Sequence, residues 1–131
     1  MSVTFDFEGT VALVTGACGA LGSAAAAAFA EAGATVAAAD VVDVDSEDSL
    51  LDPETVDSFH RGDFTDESAV AEAVDAVVAE HGRLDHLLNV AGTWRGGDHV
   101  EETAVETFDM LLDVNLKTMF LASKHALPHL Q

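Results

Sequence analysis

The run Thr10–Thr15 (TVALVT) is short, apolar and rich in β-branched residues, and it opens without a spacer into the glycine-bearing turn Gly16–Gly22. Ser23–Ala32 follows at once, almost pure alanine with Phe29 as its one large residue, and Gly33 stops it. Alanine is the strongest helix former and glycine a common helix terminator, so this stretch reads strand, tight turn, helix. The same alternation continues down the chain. Thr35–Asp40 (TVAAAD) is a second short strand ending on a carboxylate, and Val56–His60 is a weaker third. Thr65 or Asp66 caps a helix that sets Val70, Val74, Val77 and Val78 on one face, and Gly82 ends it. Leu84–Val90 (LDHLLNV) makes a fourth strand, and Gly92–Glu102 is a glycine-rich loop. Helical stretches then run over Thr103–Leu112 and from Asn115 onward, with Leu116, Met119, Phe120, Leu127 and Leu130 at helical spacing in the second. Strands interleaved with helices predict an α/β fold, a parallel sheet with helices on both faces. At 131 residues, 49% of them hydrophobic, the chain fits one domain, residues 1–131, with no linker and no internal repeat.

Charge restricts the partners. Asp and Glu number 24 against 5 Lys and Arg, a formal net charge of −19, and Lys117 and Lys124 are the only lysines. Such a surface repels nucleic acid and anionic membranes, so neither is expected as a partner. No apolar stretch reaches the ~18 residues of a membrane-crossing helix, and residues 1–8 lack a signal pattern, so the cytoplasm is the expected compartment. A single cysteine, Cys18, allows no internal disulfide framework and no Cys-rich metal site. Self-repulsion of this size favours a salt-screened setting, where the Debye length falls to about 3 Å at molar salt. The composition is similar to that of proteins from salt-loving microbes. An acidic surface in an ordinary cytoplasm and an acidic interaction domain are the alternatives. Seven acids fall between Asp43 and Asp57, and Val41–Thr55 reads as a solvated loop without the glycine and ligand order of a calcium loop.

The turn Thr15-Gly16-Ala17-Cys18-Gly19-Ala20-Leu21-Gly22 carries the chemistry. Between a strand and a helix, glycines let the backbone turn sharply and approach a pyrophosphate, while the helix start supplies free N–H groups and the positive end of its dipole. Asp40 closes the second strand about 20 residues on, where a carboxylate accepts the ribose hydroxyls of an adenosine and repels a 2′-phosphate. The pattern predicts NAD in preference to NADP. Cys18 reads as a small filler facing this site rather than a reactive thiol, because no base stands near it in sequence. His125 and His129 are spaced for a metal on a helix, but Pro128 intervenes and no further ligand pattern accompanies them, so packing or surface roles are expected, and no metal. His81 and His86 read as surface residues. Thr93–Asp98 is either a flexible loop or part of a substrate wall.

These residues resemble the short-chain dehydrogenase/reductase family, from about Phe7 to Gln131. TGACGALG is similar to the family's TGxxxGxG. Gly16 and Gly22 match, but the middle glycine falls at Gly19, with Ala20 where the usual one stands. That spacing also occurs in the extended branch of the family. Gly62-Asp63-Phe64-Thr65 resembles the segment in which an Asp meets the adenine ring. Asn89-Val90-Ala91-Gly92 resembles NNAG, which steadies the sheet near the cofactor, with Val90 replacing one Asn. The whole of GRLDHLLNVAG points to the ordinary branch. Asn115 in Val114-Asn115-Leu116 matches the catalytic helix Asn, which helps hold a water in the proton relay.

The resemblance implies a Rossmann-type doubly wound sheet in the order 3-2-1-4, truncated after the fourth strand. It implies an NAD-dependent oxidoreductase that passes a hydride between nicotinamide and a secondary alcohol or ketone. Gly16, Gly19 and Gly22 would hold the pyrophosphate, Asp40 the adenosine ribose, Asp63 the adenine and Asn89–Gly92 the far ribose. Thr15, Cys18, Ala20, Leu21 and Phe64 complete the expected cofactor set. The family's catalytic Ser and its Tyr-x-x-x-Lys would lie beyond Gln131. Ser123 and Lys124 match neither position, and the chain contains no tyrosine. Chemistry that needs a tyrosine proton donor is therefore not expected of these residues alone. Partners implied are a small-molecule substrate of the full enzyme and, as in the family, further copies of the same subunit. A non-catalytic nucleotide-binding or regulatory module, or an inactive truncated remnant, is the alternative.

Overall fold

A computed structural model describes residues 2–130. Its four strands, β1 (Val11–Thr15), β2 (Thr35–Asp40), β3 (Ser58–Arg61) and β4 (His86–Leu88), form one sheet in the order 3-2-1-4. All three pairings are parallel, with Leu13 opposite Ala37 on one side and Leu87 on the other, and Ala38 opposite Phe59. Helix α1 (Ala20–Glu31) makes the crossover from β1 to β2 and helix α2 (Glu67–His81) that from β3 to β4, while residues 41–57, with the short 3-10 turn Pro53–Thr55, join β2 to β3. Helices α3 (Val105–Leu112) and α4 (Thr118–Leu130) follow β4.

Every residue of β1 is buried, which is why this central strand is apolar without alternation. Successive side chains still point to opposite faces. Val11 and Leu13 join Ala37 and Ala39 under α2 and α4, where Val70, Val74, Val77, Leu121 and Ala122 complete one core. Val14, Val36 and Ala38 face α1, with Ala26, Ala34 and Leu51, and Phe7 and Phe29 pack against that second core. The alanines of α1 and β2 leave little side-chain bulk between helix and sheet.

Local chemistry sets the element ends. After α1 the N–H of Ala34 reaches Phe29 O (3.0 Å) and that of Gly33 reaches Ala30 O (3.0 Å), with Gly33 at φ +99°. This paired closure satisfies helix-end carbonyls and needs the left-handed conformation that glycine adopts without strain. Asp66 caps α2 by accepting the Ser68 N–H (3.1 Å), so it, not Thr65, is the cap.

The structure corrects several expectations. Regular pairing of β3 begins at Ser58 rather than Val56, because the Asp57 carboxylate takes the Val36 N–H (2.9 Å) before the ladder starts. The ladder of β4 covers His86–Leu88 rather than Leu84–Val90, because the N–H groups of Val90 and Ala91 turn to Thr15 Oγ1 (3.1 Å each). The last two helices are joined by a π-helical turn, Asp113–Lys117, instead of being separate. In α4 the small residues Ala122 and Ala126 are buried with Leu121, while Met119, Phe120 and Leu127, and Leu116 of the π-helical turn, are exposed. Helical spacing locates an apolar stripe but not the side that the sheet will cover. His86 is not a surface residue. Its ring lies 5.0 Å from that of Phe7 and 5.5 Å from that of Phe29, and its Nε2 is buried without a hydrogen-bond partner. His81 is largely buried too, its Nε2 2.8 Å from Ser58 Oγ, which also lies 2.9 Å from His60 Nε2.

Candidate functional site

The glycine turn sits at the carboxyl end of β1, and its three glycines answer to different constraints. Gly16 has φ +61°, and a Cβ there would lie 2.7 Å from the Ala91 backbone. A Cβ on Gly22 would run into the carbonyl of Gly16, so glycine lets α1 start directly against the turn. Gly19 differs. Its added Cβ would meet only Gly16 O, at an ordinary 3.6 Å, so the chain's own packing does not require the missing side chain. The bare backbone of Gly19 instead leaves room on the cleft side. The N–H groups of Ala20, Leu21 and Gly22 precede the first α1 hydrogen bond, from Ser23 N–H to Gly19 O (2.9 Å), and they carry the positive end of the helix dipole.

Asp40 is held at the end of β2. One oxygen accepts the Cys18 N–H (2.9 Å) and the other the Val42 N–H (3.1 Å). A cleft of about 330 Å³ lies between this carboxylate and the turn, lined by Gly16, Cys18, Gly19, Ala20, Leu21 and Gly22 with Asp40, Val42, Asp48, Val90 and Gly92. No lysine or arginine is among these residues. A smaller cavity of about 100 Å³ shares Gly16 and Asp40 and continues past Thr15, Ala91, Asp63, Phe64, Val114 and Thr118. A wider groove of about 550 Å³ shares Asp63, Thr65 and Val114 and runs on to Glu106, Asp109, Met110 and Asp113. The three cavities adjoin one another at the carboxyl ends of the strands, where ligands bind in open α/β sheets.

The remaining predicted residues divide into those that reach these cavities and those that shape them. Thr15 is buried, and its hydroxyl donates to Leu88 O (3.3 Å) while accepting from Val90 and Ala91 N–H, so it staples the segment after β4 to β1. Asn89 donates to Ser123 Oγ (3.3 Å), tying β4 to α4 rather than entering the cleft. Phe64 lines the smaller cavity, but its ring belongs to the core under α2 and α4. Asp63 Oδ1 accepts both the Thr65 hydroxyl (2.7 Å) and the Thr65 N–H (2.9 Å), and these bonds hold its carboxyl below the ordinary 3.8. Asn115 is spread across the π-helical turn. Its Oδ1 accepts the Thr93 N–H, and its Nδ2 donates to Thr93 O and Leu111 O, each at 2.9 Å. Its side chain thereby fixes the start of the 93–98 loop, in which Trp94 is 83% exposed. Burial raises the Cys18 thiol above its usual range, with the Asp40 charge adding to the rise, so the thiol is a wall of the cleft and not a thiolate.

The segment Val41–Thr55 is not simply a solvated loop. Leu51 is 5% exposed in the α1-side core, and the Leu50 N–H donates to Cys18 O (2.8 Å), pinning the segment to the glycine turn. Asp48 and Val42 are cleft residues that sequence reasoning missed. The signal was the Leu50–Leu51 pair, an apolar anchor set among acids. His125 Nε2 lies 3.0 Å from Glu67 Oε1, which also takes Lys124 Nζ (2.6 Å), joining α4 to α2. Among the described residues, no helix is long and apolar enough to cross a membrane.

A parallel 3-2-1-4 sheet, a glycine turn opening the first helix and a carboxylate closing the second strand define a Rossmann-type nucleotide-binding fold. The family model described as short chain dehydrogenase matches residues 10–131, and the chain belongs to that family. D-threitol dehydrogenase of Mycolicibacterium smegmatis is 41% identical over 126 residues, covering 92% of this chain and 48% of the relative. The 3-ketoacyl-(acyl-carrier-protein) reductase of Brucella melitensis, crystallised with NADH, superposes with a TM-score of 0.86 at 32% identity, over 95% of this chain and 51% of the other. Carveol dehydrogenase of Mycobacterium avium, in complex with NAD, gives 0.82 at 25% identity, over 97% and 51%. The chain spans about half the length of the curated relatives it matches.

Proposed function

We propose that these residues form the cofactor-binding part of an NAD-dependent oxidoreductase that interconverts a secondary alcohol and a ketone. The open face of Gly19 carries the reading, because nothing within the chain requires that side chain to be absent. A dinucleotide fits the donor set. The Ala20, Leu21 and Gly22 N–H groups would hold the pyrophosphate at the α1 start, Asp40 the adenosine ribose and Asp63 the adenine. Val90, Ala91 and Gly92 would face the far ribose, with Thr15 and Asn89 positioning that strand end. When bound, the cofactor supplies hydride transfer to or from a carbon of a small-molecule substrate. Asn115 would serve the proton relay, whose tyrosine donor must come from outside these 131 residues, since they contain none. By themselves they bind cofactor and turn nothing over.

On this reading residues 1–131 are one incomplete Rossmann-type domain, and the net charge of −19 supports a salt-rich cytoplasm as its setting. The full protein assembles with copies of itself, as its family resemblance implies. NADH fluorescence titration at molar KCl tests the site. NADH should bind more tightly than NADPH, and Asp40→Ala should narrow the difference. Equal affinity of the native chain for the two, or tighter NADPH, would overturn the role given to Asp40.

A further inference from the structure

We propose that Asp48, on the acidic segment between β2 and β3, is a second determinant of cofactor choice, closing the cleft with Asp40 against a ribose that bears a 2′-phosphate. The inference rests on the dinucleotide reading above and deepens it.

Of the acids between Asp43 and Asp57, Asp48 is the one that lines the cleft, beside Asp40 and Cys18. Its segment is anchored there, with Asp48 exposed at the rim. The Leu50 N–H is bonded to Cys18 O (2.8 Å), Leu51 is in the core, and the Asp48 N–H is held by Ser46 Oγ (3.2 Å). Both Asp40 oxygens already accept backbone N–H groups, which fixes that carboxylate in place as one wall. Asp48, itself exposed, adds a second negative charge to the lining, and no lysine or arginine lines the cleft to offset either. A 2′-phosphate carrying roughly −1.5 to −2 charges would enter a cleft whose lining holds two carboxylates.

The test uses the 131-residue chain at molar KCl, titrated with NADH and with NADPH by fluorescence. Asp48→Asn should tighten NADPH binding about twofold, the effect of one exposed unit charge removed under molar-salt screening, with little change for NADH. Asp45→Asn, the same charge change in the same segment outside the cleft, should leave the ratio of affinities as it was. Asp48→Ser, with a melting curve for each variant, guards against a folding artefact. An unchanged ratio in both Asp48 variants would overturn the proposal, and so would an equal shift in Asp45→Asn, which would reveal a general charge effect. A native chain that binds neither cofactor would instead remove the dinucleotide reading itself.

Discussion

At Gly16, Gly19 and Gly22 the absence of a side chain serves three different ends. Gly16 needs a left-handed φ and close approach to Ala91, Gly22 needs room against the Gly16 carbonyl, and Gly19 needs neither. Substitution should separate fold from function accordingly. Gly22→Ala forces a Cβ into backbone that has nowhere to go and should cost about 3 kcal/mol of stability, the upper range for overpacking. Gly19→Ala should leave stability within about 0.5 kcal/mol, as surface changes do, while weakening NADH binding. Urea denaturation and NADH titration at molar KCl measure the two effects. A Gly19→Ala chain that binds NADH as tightly as the native one would show that the open face of the turn is not the pyrophosphate seat.

Between elements, carboxylates substitute for missing strand partners. Asp85 Oδ2 accepts the Val11 N–H (2.9 Å) and Asp57 Oδ2 the Val36 N–H (2.9 Å), so the amino ends of β1 and β2 are closed in the same way. Asp85 is in turn gripped by Arg83 (2.7 and 2.8 Å), which keeps its carboxyl below the ordinary 3.8. Beside them, Ser58 Oγ holds His60 of β3 and His81 of α2, joining an edge strand to a helix end. Burial holds the His60 imidazole below its usual 6.5, nearby His81 adds to the lowering and Glu80 opposes it. A base with a depressed folded pKa binds fewer protons folded than unfolded. Its contribution is therefore complete above pH 6.5 and is lost as pH falls through the lowered value. Denaturation midpoints taken from pH 8 to 5 should fall on the acid side, and His60→Gln should flatten that fall. Parallel pH profiles for the two proteins would rule out His60 as the source.

For the molecule as a whole, two kinds of surface compete. A net charge of −19 opposes compaction, so melting temperature should rise from low to molar KCl as repulsion is screened. Circular dichroism melts across that range test it, and a flat or falling melting temperature would remove the case for a salt-adapted protein. The same screening uncovers an opposite tendency. β4 lies at the edge of the sheet, and Phe108, Leu116, Phe120 and Leu127 are each more than half exposed on the helical run that follows it. An open edge beside bare apolar surface favours chain association. Size-exclusion chromatography should show association growing as salt rises, where repulsion no longer holds the chains apart. A monomer at every salt concentration would show that this surface is inert.

Periodicity and turn chemistry are local, and they are why the β–turn–α order, the span Thr35–Asp40, the cap at Gly82 and the glycine turn with its distant Asp40 were all readable from residues in a row. The sheet order followed from the family resemblance those motifs carried. What lay beyond reach depended on contacts between residues far apart in the chain. His86 reads as a polar residue at a strand end until Phe7 and Phe29, brought from elsewhere, close over it. Helical spacing finds the apolar stripe of α4, but only the sheet selects the side with Leu121, Ala122 and Ala126 for burial. The acids after Asp40 read as a solvated run, and only the burial of Leu51 and the bond from Leu50 to Cys18 bring one of them, Asp48, to the rim of the cleft. Sequence determines which residues are able to pair with water or with oil, and which backbones can turn. Which face is actually covered is settled by packing, because burial is a property of neighbours that only the folded chain brings together.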